Sequence, residues 1–175
     1  MTIEQRIKAA IRDVPDFPKP GIIFKDISPI MLDPKLCRDI VTAFIDRLPG
    51  APDALCAVES RGFFFGTLIA SALQVPFIPI RKKGKLPGNV IVYSYDLEYG
   101  SATIEIQKGV LKPGSKVLVH DDLIATGGTI SAAAELILKE KATIMAFSFL
   151  VDLTFLKGNE RLKKYSDHVI ALANY

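Results

Sequence analysis

The sequence predicts an α/β fold, with a mainly parallel central sheet flanked by helices. Three observations carry this. Apolar runs of strand length at Leu55 to Val58, Phe77 to Ile80, Lys116 to His120 and Thr143 to Leu150 alternate with helix-patterned stretches. Such runs suit strands covered by helices on both faces. Two of them pass directly into a glycine-containing loop and then a helical pattern, which is the strand-loop-helix unit of such folds.

The elements follow in order. Ile3, Ile7 and Ala10-Ile11 are spaced as one face of a short helix over Thr2 to Ile11. From Asp13 to Gly21, three prolines and a glycine break regular structure, and Ile22 to Ile27 resumes as an extended piece. Within it Phe24 fits either a core position or a flat ligand wall. Asp33-Pro34 is an N-cap followed by a first-turn proline, and apolar positions from Leu36 to Leu48 mark one face of a helix closed by Pro49-Gly50. The strand Leu55 to Val58 runs into Glu59-Ser60-Arg61-Gly62 and a helix over Phe63 to Leu73. The strand Phe77 to Ile80 empties into Arg81, Lys82, Lys83, Gly84 and Lys85. A basic run usually reads as a solvated face. At the C-terminal end of a strand, where open α/β sheets bind ligands, it also suits a loop that closes over a polyphosphate. Val90 to Tyr95 and Ala102 to Gln107 alternate as a hairpin around 96–100. Leu156 to Tyr165 is polar and helix-like, and Asp167 to Ala173 is a last strand.

The densest signal is the thirteen residues from Val117 to Thr129. An apolar run ends in Asp121-Asp122. Leu123-Ile124, Ala125-Thr126, Gly127-Gly128 and Thr129 follow, and a helical pattern begins at Ile130. Glycines let backbone N–H groups approach an anion, and a helix start adds free donors and the positive end of its dipole. Carboxylates beside a phosphate-sized loop point to a ligand that also carries hydroxyls, or to a metal; a sugar phosphate suits both ends. A Walker A loop and a G-x-G-x-x-G fingerprint are both absent here.

Composition sets the outer bounds. The 175 residues are expected to form one domain (1–175) able to bury a sizeable core. A net charge of +3, with no basic run interleaved with aromatics, gives no reason to expect a nucleic-acid partner. Cys37 and Cys56 lie far apart without a CxxC and read as buried free thiols. The N-terminus has no signal-peptide core and no apolar run approaches membrane-spanning length, so the expectation is a cytoplasmic protein without membrane contact. His120 reads as a packed, hydrogen-bonded strand residue, and His168 carries no signal.

The Asp121 to Thr129 wording resembles the phosphoribosyl diphosphate (PRPP) signature of the type I phosphoribosyltransferases, and is most similar to their adenine-specific branch. The stretch Asp16-Phe17-Pro18 to Ser28-Pro29 resembles the base-binding hood of that branch, and the similarity runs over nearly the whole chain. The resemblance implies the type I fold, with a hood contributed by about residues 1–35 and a flexible β-hairpin loop. It implies transfer of the phosphoribosyl group of PRPP to N9 of adenine, giving AMP and diphosphate, in a homodimer with Mg²⁺ held mainly by substrate oxygens and water. Phe24 would stack on adenine, with backbone groups of Ile23 and Lys25 on its edge and Leu123 on its other face. Ala125, Thr126, Gly127, Gly128 and Thr129 would hold the 5′-phosphate. Ser60, Arg61, Arg81, Lys82 and Lys85 would bind the diphosphate, Arg81 and Lys82 across a dimer interface. Asp121, Asp122, Arg61, Glu98 and Tyr99 would be catalytic. Lys25 stands where the family often has Arg, Ser60 where Ala is usual, Asp152 where Glu is frequent and His120 where an apolar residue is usual. The rival expectations are the same chemistry on another base, or a PRPP-binding regulator on the same fold.

Overall fold

The structure is a computed structural model, and it describes residues 1–96 and 100–175. Among these residues, seven strands form one sheet in the order β5-β6-β4-β3-β7-β8-β9. They are β3 (Ala54–Val58), β4 (Phe77–Lys82), β5 (Val90–Asp96), β6 (Ser101–Gln107), β7 (Lys116–Ile124), β8 (Thr143–Asp152) and β9 (Val169–Asn174). From β4 to β9 through β3, β7 and β8 every pairing is parallel; β5 and β6 form an antiparallel hairpin on the edge of β4. The expected fold class is therefore the observed one.

The helices divide between the faces. On one face α1 (Ile3–Ala10), α2 (Pro34–Ile45) and α3 (Gly62–Leu73) bury Ile7, Ile40, Phe44, Phe65 and Ile69 against Leu55, Ala57 and Leu118. On the other, α4 (Gly128–Lys139) lays Ala133, Ala134, Leu136 and Ile137 against Val117, Val119 and Phe147. The three alanines from Ala132 to Ala134 are all buried and let this helix lie close to the sheet. Local sequence sets the helix starts. Thr2 and Gln5 form a capping box on α1, and Asp33 Oδ1 accepts from the Lys35 and Leu36 N–H groups ahead of Pro34 in α2.

One topological feature positions the site. From β3 the chain crosses to β4 on one side, while β7 joins β3 on the other, and the helices after β3 and β7 cover opposite faces. The loops at the C-terminal ends of β3 and β7 therefore part and leave a crevice between them, the usual ligand position in such sheets. β7 also outruns β3. Its pairing with β3 ends at His120, whereas its pairing with β8 continues to Ile124.

The structure alters four expectations. Asp13 to Pro15, read as part of an irregular stretch, form β1 together with Arg12 (Arg12–Pro15), antiparallel to β2 (Ile23–Asp26). Pro15 stands at the end of this two-stranded ribbon, where a missing N–H does least harm. β7 does not stop at His120: the acidic pair lies within the strand, because β8 supplies a partner up to Asp152. The helix after Asp33 ends at Ile45 and not near Leu48. Leu156 to Tyr165 is not one helix. It holds parts of two 3-10 turns, Thr154–Leu156 and Gly158–Leu162, separated by Lys157 in the left-handed region (φ 54°). No helix among the described residues is long and apolar enough to cross a membrane.

Candidate active site

The crevice opens into a cavity of about 820 Å³ lined by the tips of β3, β4 and β7 and by the hairpin. A smaller cup of about 110 Å³ adjoins it and shares Asp121, Leu123 and Thr129 with it. Ser60, Arg61, Arg81, Lys82, Asp121, Asp122, Leu123 and Thr129 all line the main cavity, and Ala125, Thr126, Gly127, Gly128 and Thr129 line the cup.

Asp121 and Asp122 are successive residues of a strand, so their side chains start on opposite faces. Asp122 is 4% exposed and faces Arg61, whose Nε lies 2.9 Å from Asp122 Oδ2. Asp121 Oδ1 accepts the Asp122 N–H at 2.8 Å. Its seat depends on Gly62, because a Cβ there would lie 2.8 Å from Asp121 Oδ1. Burial raises the pKa of both groups. The neighbouring Asp122 charge raises Asp121 further, while the Arg61 guanidinium offsets only part of the rise at Asp122. The pair thus holds a proton more readily than free aspartates do.

Arg61 has more than one partner. Besides Asp122, its Nη1 donates to Lys25 O at 3.3 Å and its guanidinium lies 4.6 Å over the Phe24 ring. It therefore joins the acidic pair to the β1–β2 ribbon. Phe24 is half-buried, and Phe17 meets its ring edge-on at 5.1 Å. Phe24 and Lys25 thus border the cavity through Arg61, and neither they nor Ile23 line it. The Lys25 side chain points away from this role, to Asp13 at 2.8 Å and over the Tyr175 ring at 4.0 Å.

The cup is built by close backbone approach. Gly127 has φ 78°, and a Cβ on it would lie 2.7 Å from Gly158 O. A Cβ on Gly158 would in turn run into the Ala125 carbonyl. Gly158 thus braces the loop from behind, and α4 starts at Gly128 with its first N–H groups at the cup. Thr129 Oγ1 receives the Tyr95 hydroxyl at 3.0 Å.

The basic loop is anchored by two carboxylates, Glu59 and Glu105, that local sequence pattern does not single out. Glu59 accepts from Arg81 Nε and Nη2 at 3.2 and 3.1 Å and from the Lys82 N–H at 3.0 Å. The Arg81 guanidinium holds its pKa below the usual carboxylate range. Glu105, 2% exposed, accepts the N–H groups of Gly84, Lys85 and Leu86 at 3.0, 2.8 and 2.7 Å. Burial alone would raise its pKa, but these donors outweigh burial and lower it. Arg81 Nη1 also donates to Lys85 O, so the Arg81 guanidinium is engaged within its own chain. Lys85 does not line the cavity. Glu98 and Tyr99 lie outside the described residues.

Residues 28–172 match the phosphoribosyl transferase domain family. The chain belongs to this family. Among its relatives, an adenine phosphoribosyltransferase from Cytophaga hutchinsonii is 52% identical over 99% of this chain and 96% of that protein. The crystal structure of the adenine phosphoribosyltransferase from Thermoanaerobacter pseudethanolicus superposes with a TM-score of 0.94 at 42% identity, covering 99% of this chain and 100% of that one. The Saccharomyces cerevisiae adenine phosphoribosyltransferase, complexed with D-2,5-dideoxy-2,5-imino-altritol 1,6-bisphosphate and adenine, superposes with a TM-score of 0.90 at 40% identity, covering 97% and 98%. In this family member the cavity therefore lies within the matched span, while β1 and β2 precede it.

Proposed function

We propose that the chain is an adenine phosphoribosyltransferase, which transfers the 5-phosphoribosyl group of PRPP to N9 of adenine and releases diphosphate, a purine-salvage reaction yielding AMP. The observation that carries this is the junction at Arg61, which meets the acidic pair at one end and the Phe24–Lys25 ribbon at the other. A sugar held by the first and a base held by the second would be neighbours. The names of the relatives support the same reading.

Substitution at a sugar centre passes through an oxocarbenium-like state. Asp121 and Asp122 would accept the ribose 2′ and 3′ hydroxyls and set negative charge beside the developing cation. The glycine cup, the α4 N–H groups and the Thr126 and Thr129 hydroxyls would bind the 5′-phosphate. Ser60, Arg61, Arg81, Lys82 and Lys85 would receive the diphosphate, Arg81 after loosening from Glu59. Phe24 and Leu123 would cover the two faces of adenine, with Ile23 and Lys25 backbone groups on its edge. Glu98 and Tyr99 complete the catalytic set by resemblance.

A Mg²⁺ ion fits this donor set. Asp121 and Asp122 set negative charge next to an anion cup, and Mg²⁺ would be held there mainly by substrate oxygens and water, with no ligand taken directly from the protein. When bound, it would neutralise charge on the departing diphosphate. The same reading takes the chain as one domain over 1–175, with a hood from about 1–35, acting as a cytoplasmic homodimer. The deciding assay is conversion of radiolabelled adenine, hypoxanthine and guanine with PRPP and Mg²⁺. Turnover of adenine alone is expected, and preference for another base overturns the assignment.

A further inference from the structure

Strand β5 lies along α4, held at both ends of the helix. At the C-terminal end Lys139 Nζ donates to Val92 O at 3.1 Å and sits 5.0 Å over the Tyr93 ring. At the N-terminal end the Tyr95 hydroxyl donates to Thr129 Oγ1, and the Tyr95 ring passes over Gly128, where an added Cβ would stand 3.9 Å from Tyr95 Cδ2. Tyr95 is the only residue of β5 that lines the main cavity, and Thr129 lines both the cavity and the cup.

A phenylalanine would cover Gly128 equally well, so the phenol oxygen is the group to account for. A threonine hydroxyl has one proton to give. While Tyr95 donates into Thr129 Oγ1, that proton stays available for an anion in the cup. A chain from Tyr95 through Thr129 to a phosphate oxygen polarises along its length, so each bond strengthens the other.

We propose that Tyr95 is a positioning residue that couples occupancy of the phosphate cup to docking of β5 on α4. The proposal rests on the reading of the cup as a 5′-phosphate site. Because coupling is reciprocal, a docked β5 raises phosphate affinity by the factor by which bound phosphate favours docking.

The probe is ribose 5-phosphate, which carries the sugar phosphate without diphosphate. In the full-length protein it is expected to bind and to slow hydrogen exchange across Val90 to Asp96. Tyr95→Phe is expected to weaken this binding about five- to tenfold and to remove the slowing, with KM for adenine changed less than about twofold. Thr129→Val should weaken binding as well, and the Tyr95→Phe/Thr129→Val double variant should bind no worse than Thr129→Val alone. Equal affinity in wild type and Tyr95→Phe, or additive losses in the double variant, overturns the coupling and leaves the functional reading standing. A wild type that neither binds ribose 5-phosphate nor turns over adenine and PRPP overturns the functional reading and the coupling with it.

Discussion

Two adjacent residues of β7 make opposite demands on protons. His120 is wholly buried, its Nδ1 2.9 Å from Ser148 Oγ and its ring edge-on to Phe44 at 5.4 Å. Burial pushes its pKa down to about 3, so the folded protein holds it neutral. A lowered folded pKa gives stability that is complete above the unfolded value near 6.5 and is lost as pH falls toward 3. Over that window this one group contributes a loss of about 1.4 kcal/mol per pH unit. His120→Leu is expected to flatten the fall of Tm between pH 6.5 and 4.5 relative to wild type; parallel Tm curves would show that His120 is not the titrating group. At the next position the expectation reverses. Asp121→Asn keeps an acceptor for the Asp122 N–H and removes a like charge, so Tm should hold or rise while kcat falls by about 100-fold or more. Wild-type kcat in this variant would remove the acidic pair from the mechanism. In the proposed hood, Phe24→Ala should raise KM for adenine about tenfold or more and leave KM for PRPP nearly unchanged; a rise for PRPP alone would return Phe24 to the scaffold.

At the level of elements, the loops work because backbone meets backbone or carboxylate with no side chain between. Gly62→Ala opens α3 with a methyl group pressed against Asp121 Oδ1 and Cα. We expect it to keep the α3 helix, since alanine is the better helix former, yet to lower kcat about tenfold or more by displacing Asp121. Normal turnover would mean that Asp121 can shift without consequence. The elements also differ in how far they were legible. The strands β3, β4, β7 and β8 were readable as apolar runs, and Asp33-Pro34 as a cap, because those signals are local. The glycine cup was readable for the same reason. β1 was not, because Arg12–Pro15 has no alternation and becomes a strand only through its pairing with Ile23–Asp26. Glu59 and Glu105 escaped for a related reason. Their partners are fixed by long-range register, with Arg81 opposite Glu105 across β4 and β6. Gly158 braces Gly127 from a segment that local pattern made a helix.

Across the whole molecule, the site is the place where the two faces of the sheet meet. Arg61 comes from the α3 face and the glycine cup from the α4 face, and the acidic pair lies between them. The main cavity arises from an early stop in β3, past which β7 continues with β8 alone. A binding chamber made by unequal strand lengths takes nothing from the packed interior. Residues around its rim are therefore open to exchange without hollowing the molecule, and shape preference and thermal robustness become separable traits. Lengthening β3 by one or two residues would close the chamber by backbone pairing and carry Ser60 and Arg61 from their places, a way to abolish binding that replaces no side chain of the site.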